Sequence, residues 1–360
     1  MPRLGTALRA ALFAALALCS EGASPASATP DKIVFAWPGP ISSGLAPLIF
    51  AEELGYAKAE NIEIDVISLN GSGTIIPQML NGSVFSSYIT LDPLIISRQP
   101  GKPNFPIRFV YNAVRNSIWE ISVLADSSIK STKDLGGKTI GVGNLAFGNV
   151  PMTKAILKSD GIDLSTVRFV AVGVGAPAFE ALRTKRIDAL NLWDIQDVQL
   201  AMEGTKIRIL PFPPQFHGVT SHSLPVTNKT IAEHPDLVAR FGRLFAEGTV
   251  ACVANPDGCL DAYWKHYPKP SPDEATALQH ELPLLKTRLA NMEVWDPGEP
   301  HRYGIFHARD WTTEIQSLRV GGLLDNSDIK LASLYTNQFV DDYNRFDQNA
   351  VIAAAKAYKP

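Results

Sequence analysis

Five short segments of this chain concentrate the residue types that hold a small charged or ring-bearing molecule. They are Trp37-Pro38-Gly39-Pro40 with Ser42 and Ser43, Gly71-Ser72-Gly73, Thr90-Leu91-Asp92, Gly143-Asn144 through Asn149 with Phe147 and Gly148, and Trp193-Asp194. Serine and threonine hydroxyls, together with free N–H groups at helix starts, donate to an anionic head group, and the helix dipole favours that charge. Trp37, Phe147 and Trp193, with Trp119 nearby, offer flat apolar walls to the rest of such a molecule. Asp92 and Asp194 either cap helices or receive an ammonium from a zwitterion. The same serines, glycines and aspartates also serve as ordinary caps and turn formers, and large tryptophans are often core, so the two readings stand side by side.

Other chemistries lack their motifs. Gly141-x-Gly143 has no third glycine for a dinucleotide turn, no Gly-Lys-Ser/Thr phosphate loop occurs, and no Gly-x-Ser-x-Gly elbow marks a serine nucleophile. His217 and His222 lie close together, as do His301 and His307, but neither pair has carboxylate or cysteine company at ligand spacing, so no metal and no cofactor are expected. Of these, His217, in a loop with Pro211, Phe212 and Pro213, is the one expected to face a cleft.

Such segments need strand ends and helix starts to hold them. From Asp31 onward, short β-branched runs alternate with helical stretches, the pattern of an α/β fold. Ile33 to Trp37, Ile62 to Leu69 and Ser83 to Ile89 read as strands, with helices at Ala46 to Leu54, after Gly71-Ser72-Gly73, and after Asp92-Pro93. Lys133 to Phe147 restarts that order as a strand emptying through a glycine-rich turn into a helix. Thr139–Val142 answers Ile33–Ala36, Val167–Val172 answers Ile62–Ile67, Gly173-Val174-Gly175 answers Gly71-Ser72-Gly73, and Trp193-Asp194 answers Leu91-Asp92, at an offset of about 100 to 106 positions. Two lobes of one plan follow: residues 29–122 with 226–360, and 123–225, crossed near Ile121 to Ala125 and near Leu224 to Thr227. Beyond Pro225 the pattern turns helical, and this tail is expected to pack on the first lobe.

The chain has 360 residues with 46% hydrophobic and 19% charged content, which suits a globular protein of two ordinary domains. Arg3 and Arg9 precede an apolar run from Ala10 to Leu18, and Ala26-Ser27-Ala28 offers a small-x-small cleavage site, so residues 1–28 read as a secretory signal peptide. A lipid-modified Cys19 is the minority alternative. Losing that segment removes two arginines and one glutamate and moves the formal charge from -3 to -4, a balance unlike that of nucleic-acid-binding domains. Cys252 and Cys259 flank turn-forming Asn-Pro and Asp-Gly pairs, and an oxidising compartment favours a local disulfide between them, with two free thiols as the alternative.

Lys133-Asp134-Leu135-Gly136-Gly137-Lys138-Thr139-Ile140-Gly141-Val142, the run Leu182 to Trp193, His234-Pro235-Asp236-Leu237 and the segment Gly44 to Tyr56 resemble the nitrate/sulfonate/taurine and thiamine-pyrimidine-precursor family of transporter substrate-binding proteins. The resemblance spans about Ile33 to Asn255. It implies a two-lobed type II periplasmic binding protein fold, each lobe a mostly parallel sheet flanked by helices, that closes on a small organic anion or zwitterion and delivers it to an ABC transporter permease in the inner membrane. It also implies a periplasmic, monomeric protein that is not an enzyme. Some relatives are enzymes that make the thiamine pyrimidine, but they carry a cysteine-rich cluster this chain lacks. A pyrimidine-precursor protein on the same scaffold, or a ligand sensor for a membrane signalling partner, are the alternatives.

Overall fold

The computed structural model describes residues 29–325 and 328–360; the expected signal peptide and Cys19 lie outside the described residues. Its strands are β1 Asp31–Trp37, β2 Ile62–Ser68, β3 Ser86–Ser87, β4 Ile89–Thr90, β5 Ile107–Asn112, β6 Trp119–Leu124, β7 Thr139–Val142, β8 Arg168–Ala171, β9 Ala189–Trp193, β10 Ile207–Ile209 and β11 His222–Thr227. The first lobe holds two three-stranded sheets, ordered β2-β1-β3 and β4-β11-β5, and the second holds one sheet ordered β10-β6-β9-β7-β8. β1 runs parallel to both neighbours, as does β7 between β8 and β9, so the repeat read from the sequence is a repeat of sheet topology. Gly71 and Gly175 each adopt a positive φ just before a helix, Ser72–Leu80 and Ala176–Arg183, which only glycine tolerates easily. Ile33, Phe35 and Ala36 of β1, like Ile140 and Val142 of β7, are buried, the continuous apolar run of a strand covered on both faces.

The expected lobe crossings move. β6 pairs antiparallel with β9 and β10 of the second lobe, so the first crossing lies before Trp119 rather than at 122/123. β11 pairs with β4 and β5 of the first lobe, so the second crossing ends before His222 rather than at 225/226. A strand pattern cannot show which sheet a strand joins, and that is why the sequence misassigned both ends. The two crossing segments run side by side: Val114 N–H donates to His222 carbonyl (2.9 Å) and Ser221 N–H to Val114 carbonyl (3.2 Å).

The helical tail covers the first lobe and also reaches the second. Helix Pro235–Ala254 sets Phe241 and Phe245 against Phe35 and packs on helix Ala46–Glu53. Helix Glu274–Met292 lies against helix Asp194–Met202 of the second lobe, and helix Ala308–Val320 packs on helix Asn149–Ser159. Cys252 and Cys259 form a disulfide that ties helix Pro235–Ala254 to helix Pro256–His266, both cysteines fully buried. Asn255 between them caps the second helix by accepting from Gly258 N–H (3.0 Å). Among the described residues no helix is long and apolar enough to cross a membrane.

Candidate functional site

Strand direction explains why aromatic residues gather at one place. Trp37 and Trp193 end the parallel strands β1 and β9, and the antiparallel strands β6 and β11 begin at that same edge, bringing Trp119 opposite Trp193 and His222 opposite Thr90. The result is a relay of rings across the lobe junction. Trp37 stacks on Tyr88 (centroids 5.3 Å apart), Tyr88 stacks on His222 (5.2 Å), His222 meets Trp119 (5.3 Å), and Trp119 meets Trp193 edge-on (6.1 Å). Phe147 extends the row beyond Trp193 (6.1 Å).

The rings of Trp37, Tyr88, His222, Trp119 and Trp193, with Ser42, the Pro38-Gly39 turn and Arg288, line a pocket. Its free space is about 30 Å³, room for about one water. Arg288 sits on helix Glu274–Met292 in the same buried stripe as Leu284, Leu285 and Met292, with its side chain 3% exposed. Its Nη2 donates to Asp194 Oδ1 (2.8 Å), while its Nε, also buried, has no hydrogen-bond partner. The buried Trp119 Nε1 is likewise unpartnered. An unpaired buried donor carries a desolvation penalty that a ligand acceptor removes.

Asp194 is held on three sides. Besides Arg288, Asn291 Nδ2 donates to its Oδ2 (2.7 Å) and Ile195 N–H to its Oδ1 (2.8 Å). Behind it, Glu120 and Asp197 face each other, and burial raises both carboxyl groups above the usual range. His222 is pushed down to about 3, first by burial and then by the Arg288 charge, so its ring is neutral. Its Nδ1 pairs with Ser221 Oγ at 2.8 Å. Tyr88, pushed up to about 12 by burial, is an uncharged phenol beside the guanidinium.

Of the residues singled out from the sequence, Trp37, Ser42, Trp119 and Trp193 line the pocket, while Asp194 stands behind Arg288. Gly71, Ser72, Gly73, Thr90, Asn144 and Gly148 instead form the seam where the lobes touch. Gly73 N–H reaches Ala146 carbonyl (3.4 Å), a Cβ on Gly71 would lie 2.8 Å from that carbonyl, and a Cβ on Gly148 would overlap the Thr90 hydroxyl. Asn144 Oδ1 accepts from Ala146 N–H (2.9 Å) and shapes that turn, and Ser72 Oγ lies 3.5 Å from Thr90 Oγ1. Ser43 is buried in a short 3-10 turn, and Asp92 is buried in the first turn of its helix with Oδ2 unpartnered.

Tyr88, His222 and Arg288 were not anticipated in the wall. His217, the histidine expected at the cleft, is exposed and bonds Phe212 carbonyl (2.8 Å), whereas His222, at the start of β11, is the ring that lines the pocket. Arg288 did leave a signal: a charged residue on the apolar stripe of an amphipathic helix. His307 does have carboxylate company, because folding brings Asp296 and Glu299 to it. Arg309 pairs with Asp296, Arg115 lies 3.7 Å from it, and the His307 side chain accepts from the backbone in a capping box, so the group is an ion-pair network.

The family model described as NMT1/THI5 like matches residues 42–259. The riboflavin-binding protein RibY of Chloroflexus aurantiacus is 24% identical over 305 residues, covering 82% of each chain. A solved structure from Bordetella bronchiseptica superposes with a TM-score of 0.69 at 19% identity, over 87% of this chain and 96% of that one. The alkanesulfonate-binding protein SsuA of Xanthomonas axonopodis bound to MOPS gives 0.62 at 14% identity, over 86% and 100%. The fold is that of periplasmic binding proteins.

Proposed function

The chain belongs to the NMT1/THI5-like family, and on that premise we propose that it is an extracytoplasmic solute-binding protein, closing two lobes on a small organic solute and delivering it to the permease of an ABC transporter. The observation that carries this reading is the junction pocket: rings from both lobes wall it, and among its lining residues is a buried guanidinium whose Nε is unpartnered. Contacts from both lobes make the closed state depend on ligand, because only that state collects them all. A relative named as riboflavin-binding and a structural neighbour named as alkanesulfonate-binding support a small organic solute, with sulfonates, carboxylates and aromatic heterocycles as the classes to test. The disulfide fits an oxidising compartment reached through the segment 1–28. The protein works as a monomer, without cofactor, and releases its solute unchanged.

Trp37, Trp119 and Trp193 supply the assay. Titrating the mature protein with sulfonates, carboxylates, pyrimidines and riboflavin is expected to quench tryptophan emission for one class and to return that ligand chemically intact. Flat responses across all four classes reject solute binding, and recovery of an altered ligand rejects simple capture.

A further inference from the structure

Resting on the solute-binding reading, we infer that Asp194 sets the charge preference of the pocket: it neutralises Arg288 in advance, so the solute presents an uncharged hydrogen-bond acceptor on a ring rather than a free anion.

Charge balance in a buried place decides this preference. Arg288 is the cation among the pocket-lining residues, and its side chain is 3% exposed. Its counterion is already in place at 2.8 Å, itself 6% exposed and held by Asn291 and by the Ile195 N–H. The rest of the wall adds no positive charge, since His222 is neutral beside that guanidinium and Tyr88 keeps its proton. A sulfonate or carboxylate entering here would join one cation and one anion and leave a buried excess of negative charge, which is costly without a partner. A carbonyl or sulfonamide oxygen carries no such excess. Arg288 and Trp119 both line the pocket, and Arg288 Nε and Trp119 Nε1 are buried without a partner, so such an oxygen brings an acceptor to the two residues that lack one. Asp194 is not among the residues that line the pocket, so it acts on the solute through Arg288 rather than by receiving a ligand ammonium.

The test uses isosteric pairs that differ in charge: nicotinamide against nicotinate and benzenesulfonamide against benzenesulfonate, titrated calorimetrically into the mature protein at millimolar concentration. The neutral member of each pair is expected to bind about tenfold tighter or better, and Asp194→Asn, which leaves Arg288 uncompensated, is expected to move the ratio toward the anion by at least about tenfold. A wild-type preference for the anions overturns the charge argument and leaves solute binding intact. A ratio unmoved in a folded Asp194→Asn protein overturns the role of Asp194. Binding of none of the four overturns the inference, and a flat tryptophan-emission screen would then reject solute binding as well. The wild-type ratios need no variant, so the inference remains falsifiable if Asp194→Asn fails to fold.

Discussion

Asp92 and Glu314 place two carboxyl groups in the same dry region, 2% exposed each, with an unpartnered oxygen on both. Burial pushes Asp92 up to about 7, so in the folded state it holds its proton well above the pH at which the unfolded chain loses it. The stability it supports is therefore complete below the ordinary carboxylate range and is lost as pH rises through about 7. Asp92→Asn is expected to leave the melting temperature nearly unchanged below about pH 4, where the unfolded chain also holds the proton, and to raise it at pH 8, by a gain of a few kcal/mol at about 1.4 kcal/mol for each tenfold change in proton affinity; equal melting curves at pH 8 would contradict this. Arg288 gives the opposite kind of residue. Arg288→Gln strands a buried Asp194 and is expected to destabilise by roughly 3–5 kcal/mol. Adding Asp194→Asn should restore most of that stability in chemical denaturation without restoring ligand binding, because the Nε donor is gone. At this scale the sequence was half legible. Trp37, Trp119 and Trp193 announce themselves by size and position at strand ends, whereas the partners of Asp194 lie 94 and 97 positions away and meet it only through packing.

The disulfide between helices Pro235–Ala254 and Pro256–His266 closes a short loop, so its contribution through the unfolded chain is modest. Replacing Cys252 and Cys259 together by alanine is expected to cost about 2 kcal/mol in denaturant unfolding, with ligand affinity unchanged. The seam turn Asn144–Gly148 is less forgiving for function. Gly148 has helical φ and ψ, so alanine is conformationally acceptable there, but its Cβ would overlap Thr90 across the lobe boundary. Gly148→Ala is expected to hold the lobes apart and weaken ligand affinity while the melting temperature of the unliganded protein changes little; an unaltered dissociation constant would remove this turn from closure. The strands, the helix starts and the repeated order of elements were readable because period and glycine placement are local properties. The lobe assignment of β6 and β11 was not, since it depends on pairing between β6 and residues some 70 positions later. The tail's contact with the second lobe escaped for the same reason: helix Glu274–Met292 shows an apolar stripe in sequence but not what the stripe meets.

At the scale of the whole molecule, the two lobes meet at a seam whose backbones nearly touch. An ideal Cβ at Gly73 would lie 3.4 Å from the Ala146 Cβ, close to the range a disulfide needs. Gly73→Cys with Ala146→Cys is expected to form that bond under oxidation and to block solute uptake and release, with reduction restoring exchange; undiminished exchange in the oxidised protein would show that solute passes without separation of the lobes. The sheet order carries one more consequence, for the sequence of folding events. The second lobe's sheet is drawn from the unbroken stretch β6 to β10, so it is complete once residue 209 is available. The first lobe's sheet β4-β11-β5 waits for its central strand at 222–227, and the pocket lining waits longer still, for Arg288. A chain emerging N-terminus first can thus complete the sheet of its inner lobe before that of the lobe it started with, and its pocket is not fully lined until most of its length has arrived.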